Sequence, residues 1–274
     1  MKSYSAIFSL SKSVLLVVCA LIACTKITTI QRTDRAAIQS SLRLFQETNW
    51  QARQKALNEL ASFTLPIDDP DFPAIENAYL LALDDSHQII RIEALKNISS
   101  VTSVRILNRA AEIAEGDPNL NIRWYALKSL SGFRKPAFLN VFIKGLSSDD
   151  WLIREESIRG LLTIDDQALV RQQIPLVLHS LEDPNYAVRL AALENLTIRD
   201  SRLYNSIAGM LNSEMREQHS ILAALLKAIR GYQLDQETRR HVSEFLLHSN
   251  SEIRVLALRA LKASDEAETA VKKS

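Results

Sequence analysis

The chain has 274 residues, with 33 Lys plus Arg against 32 Asp plus Glu, and a formal net charge of +1. So even a balance excludes a dedicated nucleic-acid binder, which carries a strong basic excess. Six glycines in the whole chain suit one built almost wholly of helices. Both cysteines, Cys19 and Cys24, fall in the first 24 residues, so the body that follows offers no thiolate metal site and no internal disulfide.

Residues 1–23 read as a targeting segment. Lys2 and Lys12 supply a positive start, and Val14 to Ala23 is an unbroken apolar run. Ten helical residues span about 15 Å, half the hydrocarbon core of a bilayer, so the run does not cross a membrane. It ends Leu21-Ile22-Ala23-Cys24, which resembles the lipobox of bacterial lipoproteins. The resemblance implies that the signal peptide 1–23 is removed and that Cys24 becomes the acylated N-terminus, palmitate among its chains, anchored in a membrane of the cell envelope. By the same resemblance, Thr25 in place of an aspartate points to the outer membrane. An ordinary secretory signal with an incidental cysteine is the alternative. Residues 24–34 are a polar tether, about 35 Å long if extended.

Residues 35–47 form an amphipathic helix (Ala37, Ile38, Leu42, Phe45) expected to cap the end of a stack. From here the chain repeats itself. Aligned on one arginine, the copies place Arg53, Arg91, Arg123, Arg154, Arg189 and Arg254 in a column, spaced 38, 32, 31, 35 and 65 residues apart. The last gap is two periods with a worn copy between, and a fixed period near 33 marks a repeat architecture. Four residues before the arginine stand Asn49, His87, Asn119, Asp150, Asn185 and Asn250, five of them short acceptors suited to an N-cap. Apolar residues recur at offsets −1, +4 and +7 from the arginine, with small ones (Ala56, Ala94, Ala126, Ser157, Ala192, Ala257) at +3. These offsets share one face of a helix, and the small column admits a close neighbour.

A second helix follows each copy, predicted at 72–83, 101–115, 136–147, 174–182, 201–211 and 236–248. Pro73, Pro136 and Pro175 stand at or near three of the starts, where the missing N–H costs nothing. The pattern Val/Ile-Arg-x-x-Ala-Leu-x-x-Leu, followed by a helix opening with proline, is similar to the HEAT repeat, in the short variety also found in phycobilisome-lyase-type proteins. The likeness covers roughly 49–263. It implies an all-α fold, an α-α superhelix or HEAT-like solenoid of about six to seven helical hairpins, occupying 35–274 as one elongated domain. A worn unit at 213–231 holds Ile221 or Leu222 in the arginine column, on a helix expected to be buried on more than one side. After residue 263 a partial second helix or a frayed end is expected.

Candidate chemistry is sparse. The five histidines, His87, His179, His219, His241 and His248, lack metal-ligand spacing, and solvated or capping roles are expected. Glu155 and Glu156 are adjacent, so they splay around the helix and read as a solvated face. No Gly-x-Ser-x-Gly elbow or phosphate-cradling loop occurs. No catalytic residue, cofactor or metal is therefore assigned, and the chain is not read as an enzyme. Bilin-lyase activity, which the resemblance suggests, would be separated from its cytoplasmic substrates in an exported protein.

Two rows remain. The arginine column reads as a structural ladder, each guanidinium placed to bond turn carbonyls and acids such as Asp84, Asp85, Asp117, Asp149 and Asp183. Trp50, Trp151 and Tyr186 share the position three before the arginine, where packing between repeats is expected, with an exposed edge patch as the alternative. On the second helices, which line the concave side of HEAT-like stacks, Arg105, Arg109, Lys144, Arg202 and Arg239 form a candidate binding stripe for an anionic partner. The reading is a lipid-anchored scaffold that binds other proteins or an anionic envelope component through that side. The alternative is an accessory subunit of an envelope enzyme.

Overall fold

The computed structural model describes residues 35–212 and 218–271. The signal segment, Cys24, the tether and residues 213–217 lie outside the described residues. The helices are α1 (35–44), α2 (Trp50–Ala61), α3 (Phe72–Leu83), α4 (Gln88–Asn97), α5 (Val104–Gly116), α6 (Leu120–Ser131), α7 (Leu139–Leu146) and α8 (Trp151–Thr163). They continue with α9 (Gln167–Gln172), α10 (Ile174–Leu181), α11 (Tyr186–Glu194), α12 (Ser201–Leu211), α13 (His219–Ile229), α14 (Gln236–Glu244) and α15 (Ser251–Val271). No described helix is long and apolar enough to cross a membrane. The sequence treats 35–274 as one array; the contacts divide it into two compact units, up to Leu107 and from Asn108, the division falling inside α5.

In the first unit α4 packs on both α2 and α3. The helix α1 lies against them through Ser41, whose hydroxyl donates to Glu59 at 2.7 Å, and through Ile38 and Phe45, both buried. Ala37, expected on that apolar face, is exposed instead; with only a methyl group to bury, it gains little by turning inward. In the second unit the arginine-bearing helices form one layer, in the order α6, α8, α11, α13, α15. The second helices form the other, with α7, α10, α12 and α14 in sequence. Each hairpin thus buries its apolar stripe against the next one, which no single hairpin does alone.

The columns show why these residues make these helices. Asn49, Asn119, Asp150, Asn185 and Asn250 each accept a hydrogen bond from the N–H two residues on, at 2.7–3.0 Å. His87, at the same place in α4, makes no side-chain cap and stacks on Trp50, with ring centroids 4.8 Å apart. The six residues of the small column are all fully buried, and so is the +4 column from Leu57 to Leu193. In the last repeat Leu258 is exposed, because no described helix packs over that side of α15. Pro73, Pro136 and Pro175 each occupy the first turn of their segments.

Close packing of α7 on α8 depends on two glycines. A Cβ at Gly145 would overlap Ser157 Oγ, and one at Gly160 would overlap the buried Phe142 ring. In the worn repeat Leu222 N–H bonds Gln218 O at 2.9 Å, as the arginine N–H bonds the cap carbonyl in every other copy. Leu222 therefore holds the arginine's register. All residues from Ile221 to Leu226 are buried, so α13 is covered on several sides. Among the described residues beyond 263 no second helix begins: α15 runs unbroken to Val271, since no proline or glycine interrupts it. The short α9, absent from the sequence reading, is capped by Asp166, which accepts from Ala168 and Leu169 N–H.

Candidate functional site

The arginine column lies at the N-terminal edge of its helix layer, and its hydrogen bonds follow a rule. Nη1 of Arg53, Arg91, Arg154, Arg189 and Arg254 donates to the carbonyls five and six residues before it, at 2.7–3.4 Å. At Arg53 and Arg154 the other edge of the guanidinium reaches forward to the next turn. Arg53 grips Asp85 with Nε and Nη2 at 2.8 and 3.0 Å. Arg154 grips Asp183 the same way at 2.7 and 3.0 Å.

These aspartates each serve three purposes. Asp183 Oδ1 also accepts the N–H of Asn185 at 2.8 Å, and its carbonyl accepts Nη1 of Arg189. Asp85 does likewise with His87 N–H and Arg91. One residue thus joins the arginine of its own repeat to that of the preceding one. Burial pushes the Asp183 carboxyl up, but the Arg154 pair and the Asn185 N–H outweigh it and hold the pKa below the usual range. Arg154 is raised in turn, chiefly by its hydrogen bonds to Asp183.

Arg123 departs from the rule. It donates Nε to Ala114 O at 3.3 Å, and it pairs with no carboxylate among the described residues. The place taken by Asp85 and Asp183, six residues before the next arginine, is here Ser148. Arg123 instead borders an open cleft of about 370 Å³, together with Glu115, Lys144, Ser148 and Asp149. At the first position of their helices, Leu120 and Trp151 are each 43% exposed. Packing was expected of the column three before the arginine. Trp50 does pack, on His87, but Trp151 faces solvent. Leu120 shares that column as its aliphatic member, three before Arg123. Ser148 takes on its meaning only once the fold pairs Arg53 with Asp85 and Arg154 with Asp183.

The five stripe residues do not stand as bare cations. Arg105 pairs with Glu76 at 2.8 Å, Arg109 with Glu112 at 2.6 Å, Lys144 with Glu115 at 2.7 Å, Arg202 with Asp200 at 2.9 Å and Arg239 with Asp265 at 2.6 Å. The fold brings in Glu76 from α3, Glu115 from α5 and Asp265 from α15, while Glu112 and Asp200 lie within three residues of their partners.

Another expectation is overturned at Glu156. Far from lying on a solvated face, it is buried, accepting from Ser131 Oγ at 3.3 Å with Arg159 Nε at 3.9 Å. Desolvation raises its pKa against the pull of Arg159 and Ser131. His248 Nδ1 accepts the N–H of Asn250 at 3.0 Å, a capping role, and His219 lies 3.6 Å from Glu252. Among the described residues no group of three or more His, Cys, Asp or Glu is arranged to hold a metal ion.

Comparison with known proteins bears on the fold. Residues 107–197 match the family of HEAT repeats. No curated protein matches the chain. Among solved structures, the X-ray structure of YibA from Escherichia coli aligns with a TM-score of 0.53 at 14% identity, covering 85% of this chain and 96% of that one. The complex of CpcE and CpcF of phycocyanin lyase from Nostoc sp. aligns at 0.48 and 16% identity, over 84% and 94% of the two chains. Human deoxyhypusine hydroxylase in complex with glycerol aligns at 0.39 and 11% identity, over 86% and 98%. The fold is all-α, of the HEAT-like helical-repeat class.

Proposed function

We propose that this chain of stacked HEAT-like hairpins is a non-catalytic scaffold that binds other proteins, held at a bacterial envelope membrane by a lipidated Cys24. One observation carries the binding reading. Leu120 and Trp151, at the same place in consecutive repeats, expose large apolar side chains along an edge whose polar groups are otherwise engaged in capping and the arginine ladder. Helices in contact lie about 8–10 Å apart, so the two side chains offer a spaced pair of anchors, and aromatic anchors dominate protein interfaces. The pairing of every stripe cation with an acid favours a protein over an anionic polymer, because a matched surface attracts a polyanion weakly. The anchor rests on Leu21-Ile22-Ala23-Cys24 and Thr25, and the outer membrane is its proposed location.

The test places a photo-crosslinking amino acid at position 120, 151 or, as a control, 209 on the exposed side of α12. Irradiation of intact cells should give discrete protein adducts from 120 and 151 and none from 209. Equal labelling at all three positions, or none anywhere, would refute the binding edge.

A further inference from the structure

We infer that the cleft at Arg123 is an acid-recognition notch. A partner segment places an aspartate or glutamate carboxylate against Arg123, and the apolar neighbours of that acid rest on Leu120 and Trp151. The inference rests on the protein-binding reading above and supplies its chemistry.

The argument is one of register. Arg53 and Arg154 each hold the carboxylate that stands six residues before the next repeat's arginine, at Asp85 and Asp183. For Arg123 that position is Ser148. The serine keeps the turn's other duties: its Oγ accepts Asp150 N–H at 3.3 Å, and its carbonyl accepts Arg154 Nη1 at 2.9 Å. It supplies no carboxylate. The guanidinium is a planar fork of N–H donors made for bidentate carboxylate binding, and Arg123 spends only Nε, on Ala114 O. Its Nη1 and Nη2 make no hydrogen bond among the described residues, and Arg123 lines the cleft. An incoming carboxylate there would take the Nη1 and Nη2 donors, where Asp183 takes Nε and Nη2 of Arg154.

The surroundings select what enters. Lys144, the other cation of the cleft, is already held by Glu115 at 2.7 Å, so the notch presents one guanidinium rather than a diffuse basic patch. Asp149 borders the same cleft and opposes an incoming acid, which keeps the isolated contact weak. Leu120 and Trp151 stand three residues before Arg123 and Arg154, on the same side of their helices, and both are exposed. The fitting ligand is therefore an acid flanked by apolar residues.

The test uses the full chain in detergent, labelled with 15N-arginine, and two blocked peptides, Ac-Leu-Asp-Leu-NH2 and Ac-Leu-Asn-Leu-NH2. The Arg123 side-chain resonance is identified by its loss in Arg123→Lys. The aspartyl peptide should shift that resonance saturably at millimolar concentration, and the asparaginyl peptide should leave it in place. Asp149→Asn should tighten the aspartyl complex several-fold. Ser148→Asp, which restores the missing ladder carboxylate, should weaken it at least tenfold while raising the Tm. An unmoved Arg123 resonance, equal shifts with both peptides, or undiminished binding in Ser148→Asp would each overturn the notch. If Ser148→Asp raises the Tm while the aspartyl peptide shifts nothing, the site is only a gap in the ladder. The notch then falls, and the scaffold reading stands or falls separately on the crosslinks at 120 and 151.

Discussion

Removing one member of the Arg154–Asp183 pair tests whether the arginine column holds the repeats together. The pair joins α8 to the turn before α11 and is almost dry, with Arg154 14% and Asp183 5% exposed at the side chain. Arg154→Ala deletes two charge-assisted hydrogen bonds to Asp183 and two to the carbonyls of Ser148 and Asp149, and leaves a buried carboxylate with only the Asn185 N–H for company. Breaking a buried pair from one side costs about 3–5 kcal/mol; the residual exposure of Arg154 puts the expected loss near the lower end, about 3 kcal/mol. Arg154→Ala combined with Asp183→Asn should cost less than the sum of the single changes, by about 1.5–3 kcal/mol of coupling.

The same pair sets part of the acid limb of stability. Asp183 titrates lower in the fold than the unfolded value of about 3.9. The unfolded state therefore binds the proton first, and the stabilisation present above about pH 5 is lost as pH falls through the folded pKa. Urea unfolding followed by circular dichroism, at neutral pH and again between pH 5 and 3, measures both effects. The slopes of the transitions must be compared first, because repeat arrays can lose two-state behaviour. A coupling energy below about 0.5 kcal/mol, or an acid limb unchanged in Arg154→Ala, would refute the structural role of the column.

Three further outcomes are expected. Glu156→Gln should stabilise the protein by about 0.5–1 kcal/mol at neutral pH, because it removes a desolvated charge. The gain should shrink toward pH 4: a carboxyl with a raised folded pKa weakens the fold as pH rises past the unfolded value of about 4.3, and a constant gain across that range in parallel urea titrations contradicts the burial argument. Gly160→Ala should destabilise by about 1–2 kcal/mol net, since overlap with the buried Phe142 ring exceeds the gain of about 1 kcal/mol in helix propensity. Gly209→Ala, with nothing within 4 Å of its Cβ, should stabilise instead, so a melting temperature that moves the same way in both mutants would refute the packing account. Intact mass and detergent partitioning should show residues 1–23 removed and Cys24 acylated, with Cys24→Ala unlipidated; a retained signal segment would remove the anchor from the proposal.

The chain itself determined the helical hairpin and its repetition. Caps such as Asn185, the buried column from Ala56 to Ala257, and the prolines at helix starts all act within a turn or two of sequence, so local periodicity makes them readable. Second helices predicted at 72–83 and 201–211 match α3 and α12 residue for residue. Other properties depended on which side chain of a neighbouring repeat comes within a few ångströms, and only the tertiary structure decided those. Glu156 looks solvated beside Glu155, yet the packing of α8 between α6 and α11 buries it. Leu258 fits the core column, yet no described helix covers it. Arg105, Lys144 and Arg239 look unopposed until Glu76, Glu115 and Asp265 come in from other helices. Ser148 is an unremarkable turn residue in the sequence. It becomes the position where the ladder lacks its carboxylate only when Arg123 is seen across from it, because charge pairing is set by distance in space rather than by spacing along the chain.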